Sequence, residues 1–92
     1  AVGAQEAFEL GMVNKILPDG DVLTHTQAIA ARLAHGPAKT LALIKRAVNQ
    51  AHELPLDRVL DIEASYQTIA SRHPDFGEGV AAFKEKRPPA FG

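Results

Sequence analysis

Residues 36–72 decide the fold, and they read GPAKTLALIKRAVNQAHELPLDRVLDIEASYQTIASR. Apolar side chains recur here at steps of three and four, which is the spacing of one face of an α-helix. Gly36-Pro37 and Leu54-Pro55 interrupt the pattern, because glycine suits a helix C-terminus and proline suits the start of the next helix. The stretch predicts two consecutive helices joined by a short connection. Their apolar positions are Leu41, Ile44, Val48 and Ala51 in the first, and Leu56, Val59, Ile62, Tyr66 and Ile69 in the second.

Two further helices are predicted before this pair. The first covers residues 4–10 and ends at Gly11, a residue type that suits the position after a helix C-terminus. Residues 12–17 are predicted to be extended and are followed by a turn, Pro18-Asp19-Gly20. Asp21 is expected to cap a helix over residues 21–35, because an aspartate side chain can accept from the free N–H groups of a first turn.

A last helix is predicted after His73-Pro74. Asp75 and Glu78 have the spacing of a capping box, in which the first side chain accepts from the first turn and the second reaches back. Pro88-Pro89 ends this helix. Its final turn carries three cations, which suit the carbonyl end of the helix dipole: Lys84, Lys86 and Arg87.

Composition agrees with an all-α fold. Of 92 residues, 16 are alanine, and only 15 are valine, isoleucine or threonine. Alanine loses no side-chain entropy in a helix and packs poorly on a sheet. We predict four to five short helices packed as antiparallel hairpins. Residues 1–18 are expected to be a short helix with an extended link, and residues 19–92 a helical domain. Apolar residues such as Leu43 and Leu60 widen the stripes, which predicts a second buried side against a partner chain or a missing domain.

Several classes of function find no support in the sequence. The chain has no cysteine and a net charge of −1, so a thiolate metal site and a basic surface for nucleic acid are not expected. None of His25, His35, His52 and His73 lies one helical turn from another, as metal ligands on a helix would. No apolar run is long enough to cross a membrane, and no signal peptide opens the chain, so we expect a cytoplasmic protein without a membrane or nucleic-acid partner.

Acidic residues on the second of the paired helices are the remaining candidates for chemistry. Asp57 and Asp61 lie one turn apart, but a helix N-terminus favours acidic residues, and Arg58 can pair with Asp61. Glu63 falls near the apolar stripe and is expected to be a buried, paired structural glutamate rather than a general base. We therefore assign no catalytic residue and no metal ligand.

Three passages resemble the crotonase family of enoyl-CoA hydratases and isomerases. The first runs from Ala7 through Gly11-Met12-Val13-Asn14-Lys15-Ile16 to Pro18. The second is Gly36-Pro37 followed by Leu43-Ile44-Lys45. The third, residues 75–91, reads DFGEGVAAFKEKRPPAF. The three occur in the family's order and spacing and extend over the whole chain. The sequence of the paired helices looks closest to members that act in phenylacetyl-CoA degradation.

The resemblance implies that this chain is the C-terminal helical part of a longer enzyme, its trimerisation domain. In the family, a spiral core carries the peptide N–H groups that polarise the thioester carbonyl and the carboxylates that move protons. Those groups would lie upstream of Ala1, so the chain alone is expected to be inactive. The implied partners are an acyl-CoA substrate and further copies of the protein, as a homotrimer or a dimer of trimers. No cofactor is implied beyond the coenzyme A of the thioester itself.

The resemblance also implies a binding role for Phe83 and Lys86. In the family, the matching segment lies near the ADP part of coenzyme A, so Phe83 would cover the adenine face and Lys86 would approach a phosphate. Three residues separate the two, and on a helix both would project from one side. The alternative, which periodicity alone favours, is that Phe83 belongs to the core and Lys86 is solvated.

A function of another class stays open from the residues themselves. The apolar surplus is also what a free-standing helical interaction module without enzymatic activity would display. Coding sequence for a spiral core directly before Ala1 would favour the enzyme, whereas a start codon there would favour the module.

Overall fold

The computed structural model describes all 92 residues and consists of five α-helices without a β-strand. The helices are α1 (Ala4–Glu9), α2 (Asp19–Ala34), α3 (Ala38–Ala51), α4 (Leu56–Ser71) and α5 (Pro74–Glu85). The all-α prediction is confirmed. The chain divides into two compact units, Ala1–Ala31 and Arg32–Gly92.

The first unit contains α1 and most of α2. Gly11 follows α1 with a φ of 73°, and its N–H donates to the Phe8 carbonyl at 3.0 Å while the Met12 N–H donates to the Ala7 carbonyl at 2.8 Å. This pair of bonds is a Schellman motif, which confirms the predicted role of Gly11. The link that follows contains no strand.

The prediction that Asp21 caps α2 is wrong, because the helix begins two residues before it. The helix begins at Asp19, and the Asp21 N–H already donates to the Pro18 carbonyl at 2.9 Å. Asp21 therefore lies inside the first turn, where its charge still complements the N-terminal end of the helix dipole.

In the second unit, α3 packs against α4, and α4 packs against α5. Tyr66 of α4 donates its hydroxyl to Oε1 of Gln50 in α3 at 3.1 Å. The buried apolar residues are few: Leu43 on α3 and Ala82 on α5. Most of the predicted apolar stripe remains in contact with solvent, so each helix presents apolar surface that this chain does not cover.

The capping box predicted for α5 is also wrong. The helix begins at Pro74, and the residue that caps it is His73, whose Nδ1 accepts from the Asp75 N–H at 3.3 Å. Proline fits the first helical position, so the cap must fall one residue earlier. Glu78 does not reach back to the helix start; it bonds to the opposite end of α5.

Two predictions for α4 have different outcomes. The expected pair of Arg58 with Asp61 is present at 3.8 Å between exposed side chains. Glu63 is neither buried nor paired, contrary to expectation, because the groove between α3 and α4 that it lines is open to solvent.

Candidate functional site

The end of α5 adopts an uncommon backbone conformation at Lys86. This residue follows the helix with φ 54° and ψ 39°, in the left-handed region. The Lys86 N–H donates to the Phe83 carbonyl at 3.4 Å, and the Arg87 N–H donates to the Ala82 carbonyl at 3.1 Å. This is the same Schellman motif that ends α1, but lysine stands where glycine is usual. A bulky side chain is thus presented at a helix end at some conformational cost.

Phe83 lies one turn before Lys86 and is 85% exposed. Within this chain it is therefore not a core residue, so the alternative that placed it in the core is wrong. Its ring borders an open groove of about 450 Å³. Other apolar side chains of that groove are Phe76, Val80 and Phe91.

The geometry assumed for Phe83 and Lys86 needs a correction. The prediction took the helix to continue through Lys86, whereas α5 ends at Glu85. The Lys86 side chain consequently leaves the chain from a left-handed turn and not from the helical face that carries Phe83.

Residues 87–92, here called the C-terminal strap, fold back along α5. The Arg87 guanidinium donates to Glu78 through Nη1 to Oε1 at 2.6 Å and through Nη2 to Oε2 at 3.1 Å. The Ala90 N–H donates to the same Oε1 at 2.8 Å. A single carboxylate thus fixes the strap on both sides of Pro88-Pro89.

Electrostatics at Glu78 follow from this arrangement. The hydrogen bonds from Arg87, supported by the bond from the Ala90 N–H, lower the pKa of the Glu78 carboxyl to about 2. The carboxylate is therefore ionised at any ordinary pH. Arg87 has a second acidic partner, because its Nε donates to Oε2 of Glu85 at 2.6 Å.

The far end of the strap is anchored at the start of α5. The Gly92 N–H donates to Oδ1 of Asp75 at 3.3 Å, and Asp75 is buried. The other carboxylate oxygen of Asp75 lies 3.2 Å from Nδ1 of His73. Cε1 of the Phe91 ring lies 3.7 Å from the position that a Cβ atom on Gly79 would occupy. The strap therefore contacts α5 along most of its length.

Sequence reasoning predicted a site at Phe83 and Lys86, which stays a prediction, and missed that Glu78 and Arg87 are partners. The two residues are nine positions apart, which matches no helical spacing, and they meet only because the chain reverses after Lys86. Pro88-Pro89 signalled the end of the helix but not the direction of the strap. No group of three or more His, Cys, Asp or Glu side chains is arranged to hold a metal ion. None of the five helices is long and apolar enough to cross a membrane.

Comparison with known proteins identifies the family to which this chain belongs. The sequence pattern of the enoyl-CoA hydratase/isomerase family matches residues 1–92. The chain belongs to that family, which confirms the resemblance found in its sequence. It is 42% identical over 90 residues to a probable enoyl-CoA hydratase of Rhodobacter capsulatus, covering 98% of this chain and 35% of the relative. It is 41% identical over 90 residues to the 1,2-epoxyphenylacetyl-CoA isomerase of Escherichia coli K12, covering 98% of this chain and 34% of that protein.

Solved structures agree with the sequence relatives. An enoyl-CoA hydratase from Polaromonas superimposes with a TM-score of 0.91 at 34% identity, over 99% of this chain and 35% of that structure. A hydratase/isomerase structure from Mycobacterium abscessus superimposes with a TM-score of 0.94 at 30% identity, again over 99% of this chain and 35% of the other. The chain thus spans about a third of the length of the relatives it matches.

Proposed function

We propose that this chain is the C-terminal helical part of an enoyl-CoA hydratase or isomerase acting on acyl-CoA thioesters. In this proposal it supports self-association and closes the coenzyme A site. The observation that carries the proposal is the exposed Phe83, followed three residues later by a lysine held in a left-handed turn. An exposed aromatic ring and a presented cation are the two groups that a phosphorylated purine requires.

Each residue has a distinct role in this proposal. Phe83 covers the adenine face, because a purine ring gains from contact with a flat apolar surface. Lys86 approaches a phosphate as a flexible point charge, which does not need the fixed fork of an arginine. Both roles concern binding, so neither residue is expected to take part in proton transfer.

The chemistry itself is assigned to the missing part of the enzyme. Donors for the thioester oxyanion and the acid/base carboxylates would lie upstream of Ala1, so the chain alone is inactive in this proposal. No cofactor is required beyond the coenzyme A of the substrate. Similarity to the isomerase of Escherichia coli favours an acyl group of the phenylacetate type. We place the complete protein in the cytoplasm, as a homotrimer or a dimer of trimers.

The test uses the complete enzyme and the affinity for coenzyme A, measured by calorimetry. Lys86→Ala removes the cation and leaves the backbone at an equally strained position, so it should weaken binding about 5- to 10-fold, and more at low ionic strength. Phe83→Ala should weaken binding similarly. Its free energy of unfolding should change by only about 0.5 kcal/mol, since the ring is exposed. In both variants the rate at saturating substrate should be nearly unchanged.

Two matched controls define the result. Lys39→Ala removes an exposed cation from the first turn of α3 and should leave the affinity unaltered. Leu43→Ala removes a buried side chain and should cost about 2–5 kcal/mol of stability. Unaltered affinity in both Phe83→Ala and Lys86→Ala would refute the proposed site.

A further inference from the structure

The turn that presents Lys86 is next to an ion pair between Arg87 and Glu78. Arg87 directly follows Lys86, and both terminal nitrogens of its guanidinium bind the Glu78 carboxylate. We infer that Glu78 is a positioning residue for Lys86, acting through Arg87 to fix the left-handed turn. The inference rests on the proposed function, in which Lys86 binds a phosphate of coenzyme A.

The turn needs such support because its conformation is unfavourable for lysine and one of its two hydrogen bonds is long. Lysine carries a Cβ atom, which disfavours the left-handed conformation that Lys86 adopts. The hydrogen bond from the Lys86 N–H to the Phe83 carbonyl is long at 3.4 Å, and helix ends fray readily. Without a further restraint, Lys86 would exchange among several backbone conformations and lose its direction.

Glu78 is well placed to supply that restraint. It lies two turns back in α5, so a bond to it ties the end of the helix to its interior. Its side chain is only 26% exposed, whereas that of Glu85, the other partner of Arg87, is 61% exposed and belongs to the last residue of the helix. The paired, two-point geometry of arginine with a carboxylate fixes direction as well as distance.

The second bond of Glu78 restrains the other side of the turn. Its Oε1 accepts from the Ala90 N–H, and the rigid Pro88-Pro89 lies between this bond and Arg87. Along the chain, Lys86 therefore lies between a helix and a strap that are both bonded to Glu78. Because the pKa of the Glu78 carboxyl lies at about 2, the anchor is charged throughout the pH range of an assay.

A merely structural ion pair would behave differently from a positioning one. If the pair only stabilises the end of α5, its loss lowers stability and affects coenzyme A to the same extent whether or not Lys86 is present. If Glu78 acts through Lys86, its loss matters only while the lysine side chain is there. A double-mutant cycle separates these cases.

The experiment measures coenzyme A affinity, KM and kcat in the complete enzyme for Glu78→Gln, Lys86→Ala and the double variant. Glu78→Gln should weaken coenzyme A binding and raise KM about 3- to 5-fold with kcat nearly unchanged. In the Lys86→Ala background the same substitution should change affinity by less than about 1.5-fold. Asp61→Asn, which removes the carboxylate of the 3.8 Å pair with Arg58, is the charge-matched control and should leave affinity unchanged.

The outcomes distinguish this inference from the proposed function. Loss of affinity in Lys86→Ala combined with an equal Glu78→Gln effect in both backgrounds overturns the positioning role and leaves the proposed function intact. No effect of Lys86→Ala overturns the positioning role, and together with no effect of Phe83→Ala it refutes the proposed site as well. Should Glu78→Gln fail to fold, Arg87→Lys keeps the charge but not the two-point geometry, and it should reproduce the rise in KM only when Lys86 is present.

Discussion

Lys86 occupies a position where an ordinary helix end would carry glycine. The left-handed conformation costs a residue with a Cβ atom about 1–2 kcal/mol, and this chain does not avoid that cost at Lys86. At the end of α1, the same motif contains Gly11 and is free of it. This contrast agrees with the proposed binding role of Lys86, in which the side chain is kept at the expense of stability.

Replacing Lys86 by glycine should therefore separate stability from binding. Lys86→Gly is expected to stabilise the complete enzyme against urea by about 1 kcal/mol, because the backbone strain is relieved. The same variant should weaken coenzyme A binding as much as Lys86→Ala does.

Lys84→Gly is the control, for which the change in stability should have the opposite sign. Lys84 lies inside α5, where glycine costs about 1 kcal/mol relative to alanine, so this variant should destabilise. Lower stability of Lys86→Gly as well would contradict the assignment of strain to Lys86.

The left-handed conformation could be predicted from the sequence at Gly11 but not at Lys86. Gly11 was predictable because glycine after an apolar helix is itself a signal for the left-handed turn. Lys86 carries no such signal: a lysine near a helix end fits the dipole equally well inside the last turn. The phosphate contact of Lys86 was predicted from the family resemblance and stays a prediction, and no feature of the sequence indicated the left-handed backbone at this residue.

At the scale of elements, α5 and its strap are joined by the ion pair of Glu78 with Arg87. The pKa of the Glu78 carboxyl is about 2 in the folded chain, against an ordinary value of 4.5. Because the folded value is the lower one, the contribution of this pair is fully present above about pH 4.5 and is lost as the pH falls through 2.

Carbon-detected NMR of the Glu78 carboxyl measures this directly. Its chemical shift should be flat between about pH 6 and 3.5 and should change only near pH 2. In Arg87→Ala the midpoint should move up towards 4.5, because the hydrogen bonds from Arg87 are the largest cause of the lowered value. A wild-type midpoint close to 4.5 would mean that the strap is open in solution.

The presence of each helix could be predicted from the sequence, but the exact residues at which the helices begin and end were harder to predict. The periodic stripes predicted α3 and α4 to within a residue or two of Ala38–Ala51 and Leu56–Ser71. The start of α5 was misjudged because Asp75 and Glu78 match a capping pattern that Pro74 displaces. The strap was missed because its bonds join positions far apart in the sequence.

For the whole molecule, the main feature is uncovered apolar surface. Leu56 is 73% exposed and Leu60 54%, and Ile44 and Val48 line the open groove between α3 and α4. The stripes correctly indicated which faces are apolar. They could not indicate what covers those faces, since that depends on surfaces outside this chain.

The isolated chain should therefore self-associate. Light scattering on a size-exclusion column should give a mass well above the 9.8 kDa of one copy at micromolar concentration. Val48→Glu places a charge in the groove of α3 and should shift the population towards monomer, whereas Asn49→Glu, on the exposed neighbouring position, should not. A monomer with a cooperative thermal transition would count against a role in assembly.

The strap also has a consequence for the internal motions of the protein. Gly77 and Gly79 give α5 a low intrinsic tendency to remain helical, and the strap bonds to Asp75 near its start and Glu78 in its middle. Helix and strap should consequently open and close together as one unit of local unfolding. A ligand that immobilises Lys86 would then slow amide hydrogen exchange along the whole of α5, as far as the turn at His73, where it makes no contact at all.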